Sequence, residues 1–197
     1  MSLLRRLMNR NMSLYAQLDA LAGCGISLRE GVEPAALLVR HAEREYETTP
    51  FKLLLTEIGR ESEEPPHDAL SANIWLMRAD CISRSGDYAK VANRMAALAG
   101  DALPLELLRD EFDMRSGVAW LAFTLRGESL RWPAKIEERW IDPDILSRFA
   151  VLLEAQSIEY RYICLDLGGQ ECLLGCATQQ HFDELRRITG LAFEWLG

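Results

Sequence analysis

Two largely apolar runs are joined by two glycines in the stretch Glu159-Tyr-Arg-Tyr-Ile-Cys-Leu-Asp-Leu167, Gly168-Gly169, Gln170-Glu-Cys-Leu-Leu-Gly-Cys176. Glycine adopts positive φ without steric cost, as both central positions of a tight hairpin turn require. Each flanking run has the length and the composition of a strand. These residues are therefore predicted to form a β-hairpin, around which the remaining segments can be placed.

The two-residue turn fixes which residues face each other across the predicted hairpin. Leu165 is expected opposite Cys172, and Asp166 is expected opposite Glu171. Cys164 and Cys172 then lie on opposite faces of the sheet, so no disulfide is expected between them. Two facing carboxylates cost stability unless they are solvated, so Asp166 and Glu171 are either a solvated hairpin tip or candidates for acid–base chemistry.

The segments on both sides of this hairpin alternate between strand and helix patterns. Val118–Leu125 and Ser129–Trp132 are predicted strands, the second at a sheet edge because Pro133 lacks an N–H. Asp142-Pro143 predicts the start of a helix, and Thr178 is a predicted cap of the last helix. The resulting order predicts an α+β fold with a mainly antiparallel sheet and packed helices.

Helix signals dominate the first 48 residues. Ser13 is a predicted N-cap, and Glu33-Pro34 opens a second helix that is expected to reach about Tyr46. Residues 1–48 are therefore predicted to be an N-terminal helical segment packed on an α+β domain of residues 49–197. The first eleven residues are expected to be poorly ordered.

Two later segments have mixed signals. Residues 51–58 form an apolar run that is compatible with either a strand or a helix, and a strand is favoured because the run is short and precedes Gly59. Pro104 is expected to begin a short helix, because apolar residues recur at helical spacing from Leu105 to Phe112.

The charge distribution restricts the class of partner. The net charge is −8, and residues 61–197 carry fourteen basic and twenty-three acidic side chains. An acidic surface repels phosphate backbones, so a nucleic-acid ligand is disfavoured, whereas a basic protein would be attracted. No secretory signal and no apolar run of membrane-spanning length is present, so a cytoplasmic protein without membrane contact is expected.

Motifs that carry chemistry are not found in the sequence. The chain has five cysteines without CxxC spacing and three histidines far apart, so neither a disulfide framework nor a metal site is predicted. Phosphate-loop, nucleophile-elbow and dinucleotide-binding patterns are absent. We therefore predict no catalytic residue and no cofactor.

Acidic clusters are the predicted partner-binding residues. One cluster lies in the loop Glu61–Asp68, and the other precedes the helix that begins at Pro143. Both supply charge for a basic partner. The residues are Glu61, Glu63, Glu64, Asp68, Glu137, Glu138 and Asp142. Trp132 and Trp140, near the proline-interrupted strand, are additional candidates for an exposed binding anchor.

Several short strings from Pro50 to the C-terminus carry a resemblance to a known family. They are Leu70-Ser-Ala-Asn-Ile-Trp75, Asp80-Cys-Ile82, Gly86-Asp-Tyr88, Trp140-Ile-Asp142, Leu165-Asp-Leu-Gly-Gly-Gln170 and Thr189-Gly190. Together they resemble the bacterial immunity proteins that are encoded beside polymorphic toxins of type VI or contact-dependent systems. The resemblance implies inhibition of a cognate toxin by direct binding in the producing cell, and it implies no catalytic residue.

Two other classes of function stay open at this point. One is an enzyme whose residues converge only in the fold, for example a hydrolase that uses Asp166 or Glu171. The other is a regulatory or assembly subunit whose N-terminal helices pack on a partner. As an immunity protein the chain is expected to be a monomer or a weak homodimer.

Overall fold

Two antiparallel sheets and six α-helices make up the fold in a computed structural model that describes residues 12–62 and 69–197. The helices are α1 Leu14–Ala22, α2 Glu43–Thr48, α3 Lys52–Gly59, α4 Asp87–Ala99, α5 Pro143–Gln156 and α6 Gln179–Thr189, with 3-10 turns at Pro34–Val39 and Gly100–Ala102. The strands are β1 Ile74–Arg78, β2 Leu105–Asp113, β3 Val118–Leu125, β4 Glu128–Pro133, β5 Arg161–Gly168, β6 Glu171–Ala177 and β7 Glu194–Trp195. The predicted α+β class and the N-terminal helical segment are confirmed.

The four-stranded sheet, in the order β1-β6-β5-β7, separates two apolar cores. Because side chains alternate along a strand, Ile163 and Leu173 enter one core while Tyr162 and Leu174 enter the other. The first core also contains buried residues of α1, α3 and α6, and the second contains those of α4, α5 and the three-stranded sheet β2-β3-β4. The N-terminal helices therefore share a core with the central sheet.

The predicted helix starts are confirmed by side-chain caps. Ser13 accepts a hydrogen bond from the Ala16 N–H at 3.3 Å, and Thr178 accepts one from the His181 N–H at 3.2 Å. Each cap satisfies a backbone donor that the first helical turn leaves free. Among the described residues, no helix combines the length and the hydrophobicity that crossing a bilayer would need.

The prediction of a strand at residues 51–58 is wrong, because this segment is helix α3. Leu54, Leu55 and Ile58 are fully buried, and their spacing places them on one face of a helix. Gly59 lies so close to β1 that a Cβ atom there would be 3.0 Å from the Leu76 backbone nitrogen. The short apolar run is thus a helix that packs against the sheet.

The predicted single helix from Glu33 to Tyr46 is divided in the structure. A 3-10 turn covers Pro34–Val39, and extended backbone at Ala42 (φ −71°, ψ 149°) separates it from α2. The buried Tyr46 hydroxyl donates to the Leu37 carbonyl at 2.7 Å and so joins the two pieces.

The prediction of a helix after Pro104 is also wrong, and a β-bulge explains the misleading pattern. Residues 105–113 form β2, and its register with β3 shifts between Glu106 and Arg109. Leu105 and Phe112 are seven residues apart and would face opposite sides of a regular strand. The bulge inserts one residue, so both pack against the same core and imitate helical spacing.

The hairpin of β5 and β6 is confirmed, but its predicted register is wrong by one residue. Leu165 pairs with Leu173 and Asp166 pairs with Cys172, because an irregularity lies between Asp166 and Gly168. Cys164 and Cys172 consequently share a face instead of lying on opposite faces. Both thiols are free, as are the other three cysteines.

The side chain of Asp110 on β2 caps helix α4 from another part of the chain. One carboxylate oxygen accepts from the Gly86 N–H at 2.7 Å, and the other accepts from the Tyr88 N–H at 2.9 Å. The Asp110→Ala variant should therefore lose about 1–2 kcal/mol of unfolding free energy in urea titrations. The matched variant Glu106→Ala, exposed on the same strand, should lose less than about 0.5 kcal/mol. Equal losses would contradict the capping role.

Asp87, the first residue of α4, should make the unfolding free energy of the protein depend on pH. Burial raises the pKa of this carboxyl, but hydrogen bonds from the Ser83 backbone and hydroxyl and from Lys90 outweigh burial and lower the pKa below its ordinary value. A lowered folded-state pKa contributes stability that is present above the ordinary value of about 4 and is lost as the pH falls through the lowered one.

The destabilisation caused by Asp87→Asn should accordingly be larger at pH 7 than at pH 2. Urea unfolding at the two pH values measures the difference, with exposed Asp101→Asn as the control that should show a smaller pH dependence. A destabilisation that does not change with pH would contradict the role of the charged form.

Candidate functional site

An apolar groove lies between strand β4 and helix α5. β4 is an edge strand of the three-stranded sheet, and residues of β4 and α5 together line the groove. The groove has a volume of about 480 Å³. It is lined by Leu130, Trp132, Asp144, Ser147, Arg148, Val151, Leu152 and Ala155.

Packed aromatic rings hold the base of this groove, which we call the β4–α5 groove. The Trp132 ring meets Phe123 and Phe149 edge to face, with centroid distances of 4.8 and 4.9 Å. Phe149 is fully buried, whereas Trp132 is half-buried and borders the groove. Such edge-to-face packing fixes the Trp132 ring, so the groove has a preformed wall.

An exposed apolar side chain borders the groove on the helix side. Val151 is 66% exposed, although the α5 residues that face the core, such as Leu153, are buried. Single exposed apolar residues are common, but Val151 is continuous with the apolar groove lining. The groove therefore offers an apolar contact surface that this part of the fold leaves uncovered.

Charged side chains lie at the end of the groove near the start of α5. Lys135 and Asp144 form an ion pair at 2.6 Å, and the Arg148 guanidinium donates to the Pro133 carbonyl at 3.2 Å. The pKa of Lys135 is raised chiefly by Asp144, and Glu137 adds to the effect, so Glu137 lies in the same charged region. The groove thus has an apolar centre and a polar end.

The free edge of β4 presents backbone groups that its partner strand does not use. Arg126 and Gly127 form a two-residue turn with positive φ, and Leu125 pairs with Glu128. Hydrogen-bonded pairs alternate from this closing pair onward in an antiparallel hairpin. Ser129 and Arg131 therefore direct their N–H and C=O groups away from β3, toward the open edge.

The acidic residues predicted to bind a partner have different environments. Glu61 is exposed and forms an ion pair with Arg94 at 2.6 Å. Glu137 and Glu138 are exposed on a turn before α5, where Glu138 has φ +54°. The remaining loop residues, Glu63, Glu64 and Asp68, lie outside the described residues.

Asp142 does not belong to a free surface, and its predicted role is corrected. It is only 2% exposed, and its carboxylate accepts from the Lys135 N–H at 2.8 Å and the Asp144 N–H at 3.0 Å. Its own N–H donates to the Tyr88 hydroxyl at 3.2 Å. Asp142 therefore caps α5 and positions the strand-to-helix connection, as its N-cap prediction required.

A smaller cavity of about 190 Å³ lies beside the 3-10 turn Pro34–Val39 and helix α3. Its most buried charged group is Glu57, which is 8% exposed and pairs with Arg60 at 3.1 Å. His41 approaches the same carboxylate at 3.7 Å. The buried Glu57 carboxylate therefore has partners within the protein.

The cysteines have the properties of structural thiols, with Cys24 buried and the other four half-buried. Burial raises the pKa of Cys81 to about 11 and the pKa values of Cys172 and Cys176 to about 12. These thiols are consequently protonated at neutral pH, whereas the thiolate is the nucleophilic form. Within residues 12–62 and 69–197, no group of three or more histidine, cysteine or acidic side chains could hold a metal ion.

One feature of the sequence indicates the groove, namely an apolar face of α5 that is wider than burial in the core requires. The run Phe149–Leu153 is entirely apolar, which is wider than the single buried stripe that α5 needs. Val151 is the surplus apolar residue, and the structure places it at the groove. Trp132 was identified as a candidate anchor, and it lines the groove instead of projecting freely.

Comparison of the chain with family models, with curated proteins and with solved structures finds no match.

Proposed function

We propose that this protein acts by binding another protein, and that the partner is a bacterial toxin that it neutralises as an immunity protein. The observation that carries protein binding is the β4–α5 groove, an uncovered apolar surface next to a strand edge with unused hydrogen-bonding groups. Protein–protein interfaces combine an apolar centre with a polar rim, and the groove has an apolar centre with charged groups at one end.

The charge of the chain supports a basic partner. Residues 61–197 carry fourteen basic and twenty-three acidic side chains and so hold the whole acidic excess of the chain, and Glu137 and Glu138 add exposed charge close to one end of the groove. Opposite charge speeds the encounter of two proteins and orients them. A toxin with a basic cleft fits these requirements.

The strings that resemble immunity proteins lie at structural positions. Trp75 and Tyr88 are buried in the core, Asp142 caps α5, and Gly168-Gly169 lies at the hairpin end with positive φ at both residues. These strings therefore have structural roles in this chain and supply no binding residue. The choice of a toxin as the partner depends on this resemblance.

The hydrolase alternative names Asp166 or Glu171 as its catalytic carboxylate. The two do not form a facing pair, because Cys172 is opposite Asp166 and Glu171 pairs with Gly168 and Arg78. The regulatory-subunit alternative would require the N-terminal helices to contact a partner. Buried residues of α1 and α2, such as Leu14 and Tyr46, already pack in the core beside the four-stranded sheet.

Co-expression with the product of the adjacent gene tests the proposed function. We expect the two proteins to co-purify as a stoichiometric complex, and we expect growth to be restored when the adjacent product alone is toxic. An unrelated acidic protein of similar size is the control for non-specific charge effects. If the adjacent product is neither toxic nor bound at micromolar concentrations, the proposed function is rejected.

A further inference from the structure

We propose that the partner inserts an extended segment that pairs with β4 as a fourth strand and places alternate apolar side chains in the β4–α5 groove. This deepens the proposed function, because it specifies the part of a partner protein that the groove receives. The occupant is a short segment with apolar residues at positions i and i+2 and basic residues at its ends.

The backbone of β4 calls for a strand as the occupant. Ser129 and Arg131 direct their N–H and C=O groups to the open edge, and no backbone hydrogen bond from elsewhere in the described chain reaches them. An edge with this pattern is satisfied by the backbone of another extended chain. A helix pairs its backbone groups internally and so could not form this ladder with the edge of β4.

The side chains beside that edge determine the pattern of the occupant. Leu130 and Trp132 lie on the core-facing side of β4 and line the groove with Val151 from α5. Successive side chains of an added strand point to opposite faces of the sheet. Only every second residue of the segment therefore enters the groove, and those residues must be apolar.

The far end of β4 limits the length of the pairing. Pro133 has no N–H, and its carbonyl already accepts from Arg148 at 3.2 Å. Strand pairing should therefore end after Arg131. The chain continues to the exposed Glu137 and Glu138, so a basic residue on the inserted segment would meet opposite charge just beyond the paired region.

A labelled peptide, acetyl-Lys-Val-Thr-Leu-Thr-Val-Lys-amide, is a suitable probe of this site. We expect saturable binding to the full chain at about 100 µM or below by fluorescence anisotropy. A peptide of the same composition with its three apolar residues placed consecutively should bind at least tenfold more weakly. No binding of the alternating peptide, or equal binding of both peptides, would overturn strand addition.

Backbone methylation tests the hydrogen bonds directly. One peptide carries N-methyl groups on its threonine amides, and a second carries them on its apolar amides. Only one edge of an added strand faces β4, so one of the two peptides should lose at least tenfold in affinity and the other should keep it. Loss with the threonine set indicates antiparallel addition, and loss with the apolar set indicates parallel addition. Equal effects of both sets would overturn the proposal.

On the protein side, Ser129→Pro removes an outward N–H, whereas the matched Ser129→Ala keeps it. We expect the proline variant to bind the alternating peptide at least tenfold more weakly and the alanine variant to bind within twofold of the unmodified chain. Equal binding by both variants would overturn strand addition. If the proline variant does not fold, amide exchange of the unmodified chain decides: Ser129 and Arg131 must be protected by the peptide, and unprotected amides would overturn the proposal.

Two further outcomes separate this inference from the proposed function. A toxin that binds Ser129→Pro as well as the unmodified chain would overturn strand addition and leave toxin binding intact. Failure of the adjacent gene product to bind at all would reject toxin neutralisation whatever the peptide does. A dimer of the chain alone that Ser129→Pro dissociates would identify a second copy as the occupant and would overturn binding of a partner segment.

Discussion

Replacing Val151 with Asp should weaken binding of the alternating peptide and of the toxin partner about 30-fold or more. A carboxylate at this position would be desolvated beside apolar side chains of the occupant, and truncation of a central interface residue costs about 2 kcal/mol. Val151 is 66% exposed in the free chain, so the unfolding free energy should change by less than about 0.5 kcal/mol. Anisotropy titration and urea unfolding measure the two quantities on the same preparation.

Ile158→Asp is the matched control for this variant. Ile158 is a fully exposed apolar residue that follows α5 and does not line the groove. The Ile158→Asp variant introduces the same charge as Val151→Asp, so any loss of peptide affinity caused by electrostatic repulsion alone should occur in both variants. A comparable loss of affinity in both would show that the occupant does not use the groove.

The second large effect concerns stability, and it is expected at Phe149. This fully buried ring contacts Trp132 and stacks on Phe123 at a centroid distance of 6.0 Å. The Phe149→Ala variant should lose about 3–5 kcal/mol of unfolding free energy, because the lost burial is added to the energy of the cavity that remains. Phe149→Leu keeps most of the volume and should lose less than Phe149→Ala.

Urea unfolding followed by tryptophan fluorescence measures both Phe149 variants, since the adjacent Trp132 reports on this region. Peptide affinity should also fall in Phe149→Ala, because the wall of the groove loses its support. A loss below about 1.5 kcal/mol for Phe149→Ala would show that the aromatic cluster is not a main contributor to the second core.

Helix caps and turn glycines made much of the fold predictable from the sequence. Ser13, Asp142 and Thr178 each combine a capping side chain with a following helical pattern, and all three cap helices in the structure. Gly168-Gly169 located the hairpin, although an irregularity beside Asp166 changed its register. These signals act over a few residues, so neighbouring sequence is sufficient to reveal them.

The wrong predictions depended on contacts between distant parts of the chain. The local sequence of residues 51–58 is compatible with a strand or a helix. In the structure the segment is a helix, and its last residue, Gly59, packs closely on β1. The bulge after Glu106 changes the apparent period of β2, and it depends on pairing with β3. Local propensity is a weak guide where tertiary packing offers a better burial of the same side chains.

The candidate site was less predictable than the fold. It is formed by a strand and a helix whose sequence patterns are unrelated and which come together only in the folded structure. Trp132 lies on a strand and Val151 on a helix, and neither belongs to a motif. Net charge indicated the sign of a partner but not its location. Asp142 illustrates the difficulty. From its sequence position an acidic residue could either bind a partner at the surface or cap a helix, and the buried Asp142 caps α5.

The central sheet has a consequence for how the protein is made. β1 pairs with β6 through partners such as Ile74 and Gly175, about one hundred residues apart in the chain. At a synthesis rate of about 5–20 residues per second, β1 must wait for several seconds before its partner strand leaves the ribosome. During that interval its apolar side chains have no sheet to join, so we expect the nascent chain to depend on holding factors until β6 has emerged.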